Sequence, residues 1–118
     1  MAEVPFRVEK PWGHELIWAH TDRYVGKILH VRAGHTLSVQ YHNVKDETMH
    51  LLLGSVILRI WPHRDAQPTE RVMLPGESVH VPTGTIHSIE ATSDGDVLEA
   101  STPELDDVVR LSDLYGRT

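Results

Sequence analysis

The sequence predicts an all-β fold, a sandwich or barrel of short antiparallel strands. Turn signals recur at short intervals, at Pro11-Trp12-Gly13, Gly26, Ala33-Gly34, Gly54-Ser55, Pro62, Pro75-Gly76, Pro82-Thr83-Gly84 and Ser93-Asp94-Gly95. Short runs rich in β-branched residues fill the gaps between them. No run is long enough, with an apolar period of 3.6, to serve as a crossover helix, which argues against a parallel βαβ design.

Taken in order, the expected strands are RYVGKILHVR (23–32), TLSVQYH (36–42), SVILRIW (55–61), ERVML (70–74), ESVHVP (77–82), HSIEA (87–91) and DVLEAS (96–101). The single helical expectation is the end, 103–116, where PELDDVVRLSDLYG brings Leu105, Val108, Val109, Leu111 and Leu114 near helical spacing. Pro103 suits a first helical turn and Gly116 a stop. Asp106 and Asp107 would then form a solvated helix start favoured by the dipole. There is no internal repeat, low-complexity tract or linker, so 1–118 reads as one domain.

Composition narrows the function. The net charge of -6 disfavours nucleic acid or an anionic membrane as partner. With 0 cysteines, disulfides, thiolate metal sites and cysteine nucleophiles are excluded. The start, MAEVPFRVEK, has no apolar core and does not read as a signal peptide. The richest apolar run, Met49 to Trp61, is broken by His50, Gly54, Ser55 and Arg59 and falls short of a membrane span. A cytoplasmic protein is the resulting expectation. Histidine stands out, with 9 in 118 residues.

Two segments carry most of the chemistry. The first, 34–54, ends in QYHNVKDE followed by a strand; the second, 76–91, is GESVHVPTGTIHSIEA. In a strand Gln40 and His42 project to one face. With Glu47 and His87 they make a set of imidazole, carboxylate and amide donors that suits Zn, Mn, Fe, Co or Ni and leaves positions open. The amide of Gln40 is a weaker, harder donor than imidazole. It leans the site towards polarising an oxygen-rich substrate and away from redox chemistry.

These segments resemble the cupin superfamily. Its first motif, G-x5-H-x-H-x4-E-x6-G, is met by Gly34, Gln40, His42, Glu47 and Gly54, with Gln in the first histidine slot. The second, G-x5-P-x-G-x2-H-x3-N, is met by Gly76, Pro82, Gly84 and His87, with Ala91 in the last slot. The resemblance implies a double-stranded β-helix, or jelly-roll barrel, holding a divalent metal on Gln40, His42, Glu47 and His87. Zinc and manganese are favoured. The flanks VEKPWGHELI, GKILHVRAGHTLSVQYH and VVRLSDLYGR are further similar to the cupin domain of the type II phosphomannose isomerases. The Gln-x-His pair with a later Glu and His also resembles the zinc set of the type I isomerases.

What the resemblance implies is a metal-dependent isomerase or epimerase acting on a sugar or sugar phosphate, built as a homodimer. Candidate bases are Lys27, His50 and His80. Candidate phosphate anchors are Lys27, Arg32, Arg110 and Arg117, since phosphate is held by Lys or Arg. His14, His20, His35 and His63 lie near turns and read as surface residues. Two departures matter: Ser88 and Ala91 stand where the family has Arg and Asn, which removes one anchor. No glycine-rich phosphate loop is present, so guanylyltransferase activity is not expected of these residues. The alternatives left open are a non-catalytic sugar-binding module and a metal-dependent cupin oxygenase.

Overall fold

The computed structural model describes residues 4–113 and 115–117. Among the described residues there are eleven strands and no helix: β1 Phe6–Lys10, β2 Gly13–His20, β3 Val25–Val31, β4 Val39–Tyr41, β5 Glu47–Leu53, β6 Val56–Trp61, β7 Thr69–Met73, β8 Ser78–Val81, β9 Ile86–Ala91, β10 Gly95–Ser101 and β11 Val109–Ser112. They form an antiparallel six-stranded sheet, ordered β1-β2-β3-β10-β5-β8, and a five-stranded one, ordered β11-β4-β9-β6-β7. No element is therefore a helix long and apolar enough to cross a membrane.

Strand alternation divides the interior into an apolar floor and a charged upper half. On β3, Val25, Lys27, Leu29 and Val31 are buried, and on β10 Val97, Glu99 and Ser101 are buried. The ladder places Val97 between Leu29 and Leu51, which with Val31, Val56, Leu58, Met73, Val81, Ile89 and Trp12 form the floor. Burying each large apolar side chain contributes about 1.5–3 kcal/mol. One step along the same strands, Lys27 pairs with Glu99, and one step further Ser101 pairs with Glu47. The site is thus set by register, because a slip of one residue would turn every charge outward.

Turns hold this register. Gly54 closes the β5–β6 hairpin at a φ of 84°, and a Cβ there would run into the carbonyl of Asp94. Only glycine meets both demands.

The expected helix at 103–116 is corrected. Residues 103–108 form tight turns, and Val109–Ser112 pairs with β4. Leu114 lies outside the described residues. Two causes favour the strand. Val108 and Val109 are β-branched, and Asp107 spends its carboxylate on the backbone N–H groups of Asn43, Val44 and Lys45 rather than on a helix start. The strand ladder then satisfies the backbone. The strand expectations also omitted β1 and β2 and gave β5 no bounds.

After β11 the chain is tied by Asp113, whose carboxylate accepts from the Arg117 guanidinium at 3.0 and 3.2 Å and from its backbone N–H at 2.8 Å. The Arg117 guanidinium holds the Asp113 carboxyl below the usual carboxylate range. A folded value below the unfolded one means stabilisation that is present above the ordinary carboxylate range and is lost as pH falls through the folded value. Asp113→Asn is accordingly expected to cost about 1–2 kcal/mol at pH 7 in urea unfolding. The gap to wild type should narrow towards pH 3. A gap that stays constant or widens on acidification contradicts this assignment.

Candidate metal centre

The site gathers on the charged half of the interior. Gln40 lies in the middle of β4, two residues before His42, and it pairs with His87 across the β4–β9 ladder. These three come from the five-stranded sheet. Glu47 opens β5 of the six-stranded sheet and reaches across. His42, Glu47 and His87 are buried, and their donor atoms lie within 4.8 Å of one another. Glu47 Oε1 is 3.2 Å from His42 Nε2 and 3.1 Å from His87 Nε2.

Each imidazole is oriented by its other nitrogen. His42 Nδ1 is 2.6 Å from the carbonyl oxygen of Asp107, and His87 Nδ1 is 2.8 Å from that of Thr85. A carbonyl only accepts, so Nδ1 must carry the proton in both rings. In the neutral rings both Nε2 lone pairs then face Glu47 Oε1, and three acceptors converge with no proton between them. A positive charge resolves this conflict, either a proton on one Nε2 or a metal ion held by all three atoms. Ligand bonds of about 2.0–2.2 Å in a tetrahedral site set donor separations of roughly 3.4 Å, close to those observed. The residues fit a divalent metal.

Glu47 Oε2 points the other way. Lys45 Nζ lies 3.3 Å from it, yet no donor meets it in hydrogen-bonding geometry. Lys45 also lies 3.4 Å from Glu99 Oε2, and Lys27 lies 3.4 Å from Glu99 and 3.2 Å from Glu15. Buried charges of this kind persist when each has a partner. Burial and the Glu47 charge push the Glu99 carboxyl up, against the pull of Lys27 and Lys45. Burial also raises Glu47, but protons carried by His42, His87 or Glu99 in this cluster, with the charge of Lys45, outweigh that and hold it well below the usual range. Of this pair, Glu47 stays ionised and Glu99 keeps a proton more readily.

A cavity of about 340 Å³ opens over this network, lined among others by Trp12, Glu15, Lys27, Gln40, Lys45, Glu99, Arg110 and Arg117. That is within the usual range for small-molecule sites. A pocket of about 20 Å³ lined by Gln40, Glu47, His87 and Glu99 adjoins it.

The structure sorts the sequence candidates. His42, Glu47 and His87 come together; Gln40 lines both spaces, with its Oε1 accepting from Ser38 Oγ at 2.6 Å. Lys27, Arg110 and Arg117 line the cavity. Arg32 does not, and it donates to the carbonyl of Pro11 instead. The expectation that His50 or His80 supplies a base is corrected. Strand alternation turns both to the outer face of the six-stranded sheet, where His50 bonds Ser78 and His80 bonds Asp46. Lys27 is also corrected as a resting base. Burial lowers its pKa, but Glu99 and Glu15 more than offset that, so it stays cationic. Sequence reasoning missed Glu15, Lys45, Glu99 and Asp107.

Residues 2–113 match the family described as mannose-6-phosphate isomerase C-terminal. The chain belongs to that family. Its fold is the cupin fold, all-β with two antiparallel sheets. A mannose-1-phosphate guanylyltransferase of Escherichia coli K12 is 31% identical over 115 residues, which is 93% of this chain but 23% of that protein. The chain therefore spans less than a quarter of the length of this relative. Among solved structures, KdgF from Halomonas sp. superposes with a TM-score of 0.74 at 19% identity, covering 86% of this chain and 90% of the other. The capsular polysaccharide assembling protein CapF from Staphylococcus aureus gives 0.77 at 21%, covering 95% of this chain and 35% of the other. At these identities the likeness of these two structures concerns the fold alone.

If a metal completes the cluster, removing a ligand should weaken binding sharply. Glu47→Gln and His87→Ala are expected to lower zinc or manganese affinity at least 100-fold in a chelator competition. They should also abolish the rise in melting temperature that saturating metal gives the wild type. Metal binding that survives both substitutions would place the ion elsewhere.

Proposed function

We propose that the chain is a metal-dependent isomerase or epimerase of a sugar or sugar phosphate. The observation that carries this reading is the meeting of two oriented imidazoles and an ionised carboxylate beside a cation-lined cavity of about 340 Å³. Membership of the mannose-6-phosphate isomerase C-terminal family supports the sugar class. His42, Glu47 and His87 would hold a divalent metal, with Gln40 beside them. When bound, it supplies Lewis acidity that polarises substrate oxygens.

The chain's own residues do the rest. Arg110 and Arg117 line the cavity and would hold an anionic group, where charge-assisted bonds are strongest. Lys27 remains cationic and, with Lys45 beside it, would favour negative charge as it develops on substrate oxygen. Trp12 closes one wall and excludes water from the apolar floor. Among the cavity's carboxyl groups, Glu99 also lines the pocket beside the ligand cluster. It is assigned the proton transfer between adjacent substrate carbons, taken up and returned at Oε2, the atom within reach of Lys27 and Lys45.

A sugar-binding module without turnover is the second reading. Ala91 is fully buried in the apolar core, and Ser88 is buried and donates to the Leu37 carbonyl, so neither replaces the missing polar anchors. A homodimer is proposed with either reading. The edge strand β7 carries Val72, 60% exposed, and a second copy would cover it.

In heavy water with metal present, deuterium should enter carbon 2 of mannose 6-phosphate or a related sugar phosphate. Glu99→Gln should slow that exchange at least 100-fold while retaining metal. Thermal stabilisation by the sugar with no exchange in any substrate of a broad panel would leave the binding module instead.

A further inference from the structure

We propose that Asp107 is a positioning residue for the ligand His42, acting through two different groups at once. The inference rests on the metal-binding reading of the His42–Glu47–His87 cluster. The Asp107 carbonyl accepts the His42 Nδ1 proton at 2.6 Å. Its carboxylate accepts three successive backbone N–H groups in the loop that follows His42, from Asn43 at 3.1 Å, Val44 at 2.7 Å and Lys45 at 2.9 Å.

That loop is what carries the chain from His42 to Glu47. Its opposite side is held by Thr83 Oγ1, which donates to the carbonyls of Val44 and Lys45. Gly84, at a φ of 84° that other residues seldom adopt, donates its N–H to the carbonyl of His42. His42 therefore has a fixed backbone, but its ring takes its orientation from Asp107. The ring's Nε2 faces Glu47 because Nδ1 is committed to that carbonyl.

A carboxylate suits the loop for a physical reason. Three consecutive N–H groups form a concavity of partial positive charge that a single neutral oxygen fills poorly. Asp107 also precedes β11 by two residues, and β11 carries the cavity residue Arg110. One residue thus joins a candidate ligand, the loop between two candidate ligands and the strand over the cavity.

The test compares Asp107→Ala and Asp107→Asn with Thr102→Ala. Thr102 Oγ1 accepts the N–H of Asp46 in the same loop but has no part in orienting His42. Zinc affinity is read by chelator competition, stability by melting, and the His42 tautomer by nitrogen NMR of metal-free protein. Asp107→Ala keeps the carbonyl but removes the carboxylate contacts that fix its place over His42, so it should lose 10–100-fold in zinc affinity and show mixed tautomers. Asp107→Asn should fall between it and wild type. Thr102→Ala should melt earlier, keep zinc affinity within about threefold and keep the Nδ1–H tautomer. The proposal is overturned if Asp107→Ala retains both affinity and tautomer, or if its affinity loss only tracks the loss of melting temperature as in Thr102→Ala. If wild type binds no zinc or other divalent metal, the metal reading fails, and the tautomer comparison alone decides whether Asp107 orients His42.

Discussion

In the neutral rings, His42 Nε2 and His87 Nε2 are buried acceptors that each face a third, Glu47 Oε1, at 3.2 and 3.1 Å. The rest of the structure follows from that constraint. Two of the atoms come from one sheet and the third from the other, so the two sheets must close on each other for the three to meet. The apolar floor of Leu29, Met49, Leu51, Leu58 and Val97 drives that closure, and the pleat then decides which end of the interior carries charge. Backbone carbonyls of Asp107 and Thr85 turn the rings so that the conflict cannot be relieved by a flip. A buried arrangement of like partial charges is costly unless something positive sits in it.

The surrounding charges extend the same logic outward. Glu47 divides its oxygens, one towards the imidazoles and one towards Lys45, and Glu99 sits between Lys45 and Lys27. This keeps Glu47 ionised, as a candidate ligand requires, and leaves Glu99 as the carboxyl able to carry a proton. The same two lysines face the cavity, so groups that stabilise the buried carboxylates also present positive charge to an incoming ligand. The buried ion-pair network and the cavity wall thus share the same side chains.

Much of this was legible in the sequence. The turn residues located seven of the strands, because glycine and proline punctuate a chain whatever its tertiary contacts. The spacing of Gly34, His42, Glu47, Gly54, Pro82, Gly84 and His87 pointed to the cluster of His42, Glu47 and His87, since motif positions at fixed offsets serve a local backbone demand or the site. Glu99 escaped notice because DVLEAS alternates ambiguously. Leu98 and Ala100 form the more apolar face, yet the six-stranded sheet turns them outward and buries Glu99 with Val97. His50 and His80 failed in the opposite way, since flanking valines and leucines do not say which face is inside. The terminal segment misled because its apolar spacing is helical, while its actual contacts, Asp107 to the 43–45 loop and β11 to β4, join residues more than sixty positions apart. No local signal reports such partners.

The central claim is that a divalent metal joins His42, Glu47 and His87. X-ray absorption at the metal edge, on protein purified without chelator and loaded with one equivalent of zinc or manganese, addresses it most directly. The account predicts a first shell of nitrogen and oxygen only, with the outer-shell scattering of two imidazoles, reduced to one in His87→Ala. A stoichiometric ion without imidazole scattering, or no stoichiometric ion at all, would contradict it.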